Sequence, residues 1–257
     1  MSSPRAGADA TLVVIPALNE AARLGAVLDR LHTAAPHVDV LVIDDGSRDA
    51  TAEAARRHGA RVVSHVFNLG YGAALQTGYK VADRDRYAFV VQMDADGQHD
   101  PADVPRLLEP LAAGHADVAI GSRFVAPSSY RMDAARSAGR VFFQRVLVAF
   151  GGPRIADPTS GFQALTRDAF RFCCEDFFPA DFPDIDVLLR LHRSGFRLLE
   201  VPVEMAPNPA EHASMHGGLR AVYYTYKMLL STFRSRLGPS AGTRRESAEE
   251  RREPQRA

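Results

Sequence analysis

Cysteine is almost missing from this chain of 257 residues: there are two, Cys173 and Cys174, and they are adjacent. Adjacent residues make no useful structural staple, and neither sits in a Cys/His pattern of metal-ligand spacing. A disulfide framework and a structural zinc site are both excluded. The usage fits a reducing compartment, and the cytoplasm is the expected one. An excess of charge is missing as well, with 31 Lys and Arg against 31 Asp and Glu. Without a global basic field, no nucleic-acid partner is expected. Long apolar runs are absent: MSSPRAGADA at the start lacks the apolar core of a signal peptide, and nothing approaches the ~18 to 20 apolar residues of a membrane span. The chain is therefore not expected to be anchored by a transmembrane helix of its own.

What the chain has is alternation. Residues 11–16 (TLVVIP) read as a buried strand, residues 20–33 as a helix with Leu24, Val27, Leu28 and Leu31 on one stripe, and residues 38–43 (VDVLVI) as the next strand. Helix 49–58, strand 61–66, helix 71–82, strand 87–93, helix 101–113 and strand 117–121 follow, with short connections. That order predicts an α/β fold with a mostly parallel sheet, helices on both faces and right-handed crossovers. Past residue 121 the rhythm changes. A Ser-rich loop from Pro127 to Arg131 leads to a helix over 133–150, the turn GGPRIADPTSGFQAL, a helix over 184–194 and a strand at 197–203. After a loop rich in Pro and His, an amphipathic helix is expected from Gly218 to Arg236. One domain over 10–237 is expected, in halves 10–121 and 122–237, between tails 1–9 and 238–257 whose composition suits disorder.

The most informative segment is YAFVVQMDADGQHD, residues 87–100. An apolar strand runs straight into Asp94, Asp96, Gln98 and His99. Two carboxylates one residue apart at a strand end can share one hard divalent cation: one binds it directly and the other acts through water or a ligand hydroxyl. Mg²⁺ or Mn²⁺ held this way keeps positions open for phosphate oxygens, which points to a phosphorylated substrate. The plain alternative is a strand that ends in an acidic turn. In a doubly wound sheet, ligands sit beyond the carboxyl ends of the strands. Asp44 and Asp45 fall there too, unless they only open the next helix, with Asp49 as its cap.

Four stretches, IPALNE (15–20), VIDDGSRDAT (42–51), NLGYGAALQTGYKVA (68–82) and MDADGQHD (93–100), resemble in order and spacing the nucleotide-binding half of family 2 glycosyltransferases with the GT-A fold. The likeness is strongest to polyprenyl-phosphate sugar synthases, such as dolichyl-phosphate mannose and glucose synthases. It continues through GSRF (121–124), DPTSGFQAL (157–165), DIDVLLRLHRSGFRLLEVPV (184–203) and HASMHGG (212–218), so that only the two tails escape it. Each motif alone is weak; all of them in order are specific.

The resemblance implies roles. Pro16, Ala17, Asn19 and Glu20, with the pair Asp44 and Asp45, would bracket the nucleotide. Asn68, Gly70 and Gly72 precede a helix start where small residues admit a ligand to free N–H groups, or they only make a tight turn. Asp94 should face ribose and metal, Asp96 should ligate the metal and Gln98 should complete the protein ligands. Arg123, with Arg131 and Arg136 beyond it, would meet the diphosphate or an acceptor phosphate, the alternative for the last two being a solvated basic surface. His99 is placed near the site with no catalytic role. On the acceptor side, many family members carry Glu-Asp where this chain has Phe182-Pro183-Asp184-Ile185-Asp186. Asp184 and Asp186 are both candidates for the group that acts on the acceptor, unless they serve as dipole partners at a helix start.

The activity so implied is metal-dependent, inverting transfer of a sugar from a nucleoside-diphosphate sugar to an acceptor, with polyprenyl phosphate the expected one; a polysaccharide or small-molecule acceptor, or a nucleotidyltransferase-like enzyme, is the alternative. A nucleotidyltransferase would carry a Gly-rich, Lys/Arg-containing loop after its first strand and a dinucleotide oxidoreductase a Gly-x-Gly-x-x-Gly turn, whereas this chain has PALNE there. A binding module without catalysis would have no need of both Asp94 and Asp96. Membrane-embedded portions like those of the lipid-linked synthases are not expected within these residues. A peripheral place at the cytoplasmic membrane face is therefore expected, through the Gly218 to Arg236 helix or a small membrane-protein partner. Packing of that helix on the core is the alternative.

Overall fold

Strand β1 (Thr11–Ala17) is buried along its whole length, as its unbroken apolar run requires of a central parallel strand. It pairs in parallel with β2 (Asp39–Asp44) on one side and with β4 (Phe89–Gln92) on the other, and β2 pairs in parallel with β3 (Arg61–Ser64). The computed structural model describes residues 10–125, 134–181 and 183–206, with the side chains of 134–138 outside the description. The tails, Arg131, the segment from Pro127 and the amphipathic stretch from Gly218 to Arg236 lie outside the described residues.

Successive residues of β1 face opposite layers. Leu12 and Val14 join a core with Leu75 and Tyr79 of α3 (Tyr71–Arg84). Val13 and Ile15 join the other core, with Leu24, Leu28 and Leu31 of α1 (Ala21–Ala34). The period-2 strand and the i, i+4, i+7 stripe on α1 thus meet on one apolar layer. Helix α2 (Thr51–Arg57) closes the β2 to β3 crossover, and α4 (Val104–Ala112) follows a short 3₁₀ turn at Pro101–Asp103.

Strand β5 (Val118–Ser122) and helix α5 (Ala134–Ala149) agree with the sequence pattern. Two further elements depart from it, because the turn expected at 151–165 ends in strand β6 (Gln163–Thr166), followed at once by α6 (Arg167–Phe172). Then come α7 (Ile185–Arg193) and β7 (Leu198–Pro202). The seven-stranded sheet runs β3-β2-β1-β4-β6-β5-β7, and β6 is antiparallel to both of its neighbours. Only four residues long, preceded by turn residues and followed at once by a helix, β6 has too little pattern to be seen in sequence; its register is set by the neighbouring strands.

That reversed strand matters for the site. Gln92, the last residue of β4, pairs with Gln163, the first of β6. The loop that leads into β6 therefore lies at the same end of the sheet as the loop that leaves β4.

Candidate functional site

The turn after β1 and the loop after β2 are stitched into one rim. Asn19 takes a left-handed conformation, φ 57°. Its N–H donates to Ser47 Oγ at 2.9 Å, and its side-chain oxygen accepts from the Arg48 N–H at 2.9 Å. Glu20 N–H donates to Thr51 Oγ1 at 2.9 Å while its carboxylate pairs with Arg23 at 3.0 Å. Asp49 accepts from the Thr51 hydroxyl and from the N–H groups of Ala21 and Thr51. Desolvation works against its ionised form, but these hydrogen bonds outweigh it and hold the carboxyl below its ordinary range. Pro16 and Ala17, expected on this rim, are the buried last residues of β1, and the Ala17 carbonyl accepts from the Asp45 N–H at 2.9 Å.

The acidic pair divides. Asp44 accepts from the Ser47 N–H at 3.1 Å through Oδ1. Asp45 is turned inward: Oδ1 meets His65 Nδ1 at 2.7 Å and the Leu69 N–H at 2.9 Å, and Oδ2 accepts from the Gly70 N–H at 2.9 Å. In this structure Asp45 clamps the 65–70 loop, whereas Asp44 is the member of the pair with an oxygen that no described donor takes.

The glycines meet protein backbone in this structure. Gly70 has φ 104°, and a Cβ there would come within 2.6 Å of the Ala180 carbonyl oxygen. A Cβ on Gly72 would overlap the Pro179 carbonyl oxygen, and the Ala73 N–H donates to the Ala180 oxygen at 2.9 Å. The start of α3 is thus covered by the 179–181 segment, and these positions are small because backbone packs on backbone. Asn68 is exposed beside them.

Asp94 and Asp96 leave β4 on one loop. Tyr71 O–H donates to Asp94 Oδ1 at 2.8 Å. Burial, and then the Asp94 charge, push the Tyr71 hydroxyl well above its usual range, and the Asp184 charge adds to the shift. Asp96 accepts the Gln98 N–H at 2.9 Å through Oδ1, and the Gln98 side-chain amide donates to Oδ2. His99 is buried and stacks on Phe162 with centroids 4.8 Å apart. The donors that meet the two carboxylates are neutral and their ligand atoms are oxygens, which suits Mg²⁺ or Mn²⁺. Among the described residues, no group of three or more His, Cys, Asp or Glu is assembled to hold a metal ion. The set therefore fits a cation held by one or two carboxylates and completed by substrate phosphates. Gln98 would join only by turning its amide oxygen to the cation.

Arg123 is already engaged. Its Nε and one terminal nitrogen each donate at 2.7 Å to the Asp157 carboxylate, which is fully buried, while Glu200 on β7 accepts the N–H groups of Ala156 and Asp157. The guanidinium expected on a phosphate instead holds the 156–161 loop in this structure. Arg136 lies on α5 with its side chain outside the description. Asp186 is buried on α7, whereas Asp184, just before that helix, is partly exposed, and its charge reaches Tyr71. Tyr71, His65, Asp157 and Glu200 were not singled out by sequence, because each acts through a partner distant along the chain.

The geometry defines a class: an α/β fold with a rim of loops at the carboxyl ends of parallel strands and an acidic loop at the centre of that rim. The chain belongs to glycosyl transferase family 2, whose family model matches residues 12–173, and it is a glycosyltransferase. It is similar to the polyprenol monophosphomannose synthase of Mycolicibacterium smegmatis, 34% identical over 226 residues that cover 80% of this chain and 81% of that protein. The undecaprenyl-phosphate mannosyltransferase of Micrococcus luteus is 33% identical over 222 residues, 81% of this chain and 88% of that one. Among solved structures, glucosyl-3-phosphoglycerate synthase from Mycobacterium tuberculosis, in complex with Mn²⁺ and uridine-diphosphate-glucose, aligns with a TM-score of 0.65 and 27% identity over 91% of this chain and 81% of that one.

Proposed function

We propose that the chain transfers a sugar from a nucleoside-diphosphate sugar to polyprenyl phosphate, with inversion at the anomeric carbon and with Mg²⁺ or Mn²⁺. The observation that carries this reading is the acidic loop that leaves β4 at the carboxyl end of the sheet, where Asp94 is held by the Tyr71 hydroxyl at 2.8 Å and stays partly exposed. The nucleotide lies over the ends of β1, β2 and β4, with Asn19 and Glu20 on the rim and Asp44 accepting from base or ribose. Asp94 and Asp96 face the diphosphate side. A bound divalent cation supplies charge neutralisation for the leaving diphosphate.

An ionised acceptor phosphate oxygen attacks the anomeric carbon as the bond to the diphosphate oxygen breaks. That oxygen has no proton to lose at that point, so Asp184 is not required as a base; it orients the acceptor by accepting from the remaining P–OH of the phosphate monoanion. A second reading, transfer to a small phosphorylated acceptor, is favoured by the likeness to the phosphoglycerate enzyme. The test pairs a panel of nucleotide sugars and Mn²⁺ with a short-chain polyprenyl phosphate, a phosphorylated three-carbon acid and a saccharide. Product on the polyprenyl phosphate is expected; product only on the others would replace the lipid acceptor.

A further inference from the structure

Segments far apart in sequence close around the Asp94 carboxylate. Tyr71, the first residue of α3, donates to Oδ1 at 2.8 Å. His99 accepts the Asp94 backbone N–H through Nδ1 at 3.0 Å, and its Nε2 stands 3.6 Å from Oδ2. Gly161 closes a further side, since a Cβ there would come within 3.1 Å of both Asp94 Oδ2 and the Tyr71 hydroxyl. The Asp94 side chain nevertheless stays 32% exposed, so a ligand can reach it. A strand-end aspartate has two soft torsions, and its carboxylate plane turns unless something holds it. Among the described residues, Tyr71 makes the short hydrogen bond that does so. Its own place is fixed by backbone, because α3 begins locked against the 179–181 segment at Gly70, Gly72 and Ala73.

We propose that the Tyr71 hydroxyl is a positioning group for Asp94: it fixes the plane of the carboxylate so that the remaining lone pairs face the open side, and it thereby sets the affinity for the divalent cation. This rests on the reading of Asp94 and Asp96 as the cation-binding pair. Tyr71→Phe removes one oxygen and keeps the packed ring, so the fold has little reason to change.

The measurement is calorimetric titration of Mn²⁺ into the full chain with uridine or guanosine diphosphate, alongside thermal unfolding and nucleotide binding without metal. Tyr71→Phe is expected to weaken Mn²⁺ binding about tenfold, with melting lowered by no more than the loss of one hydrogen bond allows and with unchanged metal-free nucleotide binding. In an Asp94→Asn background the same change should add no further loss. Mn²⁺ affinity within about twofold of the parent would overturn the proposal, because a lost charged hydrogen bond costs more than that. So would a loss that tracks lower melting and weaker metal-free binding, which marks a structural role. A parent protein that binds no Mn²⁺ with either nucleotide would overturn the cation-binding reading itself, and this inference with it.

Discussion

Asp96 and Asp94 are one residue apart on the same loop, yet their surroundings set different consequences for mutation. The hydrogen bonds to Asp96 come from Gln98, two residues on, so Asp96→Ala leaves no buried donor stranded. Its stability is expected to stay within about 0.5 kcal/mol of the parent, as for a surface change. Turnover with Mn²⁺ is expected to fall at least ~100-fold, since a metal ligand contributes several kcal/mol of charge stabilisation. Full activity of that variant in EDTA would sink the metal assignment. Asp184→Asn and Asp186→Asn should separate in the same way. The first is expected to lose transfer about tenfold or more with nucleotide-sugar binding near parental by calorimetry, a lost charged hydrogen bond to the acceptor being the cause. The second, buried on α7, is expected to lower the melting temperature instead. Equal loss of transfer and donor binding in Asp184→Asn would point to a helix-start role. The acidic loop was legible because a strand pattern ran into it. Tyr71 was not, because its contact with Asp94 spans 23 positions and exists only once α3 lies beside β4.

At the scale of elements, sequence periodicity carried β1 to β5 and the helices between them to within a few residues, since each was long enough for a period-2 or 3.6 pattern. It failed at β6 and α6. Gln163 and Thr166 are polar, the strand has four residues, and its burial follows from insertion between β4 and β5. The loop before β6 owes its position to Arg123, Asp157 and Glu200, and these make the next test. With Asp157 fully buried, Arg123→Ala strands a carboxylate and is expected to cost about 3–5 kcal/mol, read as a lower urea midpoint. An arginine that served only an acceptor phosphate would leave the midpoint where it was and raise the acceptor KM alone. Loss of both would mean that the ion pair opens during turnover.

The whole molecule has to meet its acceptor. Among the described residues, no helix is long and apolar enough to cross a membrane. If the acceptor is a lipid phosphate, the reacting end lies at a headgroup plane and the protein must come to it. The segment from Gly218 to Arg236 carries Tyr223, Tyr224, Tyr226, Met228, Leu229, Leu230 and Phe233 with Arg220, Lys227, Arg234 and Arg236, a composition suited to lying in an anionic interface. Each basic residue near such a surface contributes about 1 kcal/mol, and salt screens that attraction within a Debye length. The full chain is therefore expected to float with liposomes that contain an anionic lipid, to float less with zwitterionic ones and to be released in part by 0.5 M salt, roughly the range where the Debye length falls to a few ångströms. Flotation that appears only when a small membrane protein is co-expressed would move the membrane contact to that partner. No flotation, together with transfer to a saccharide and none to a short-chain polyprenyl phosphate, would remove both the lipid acceptor and the interfacial role.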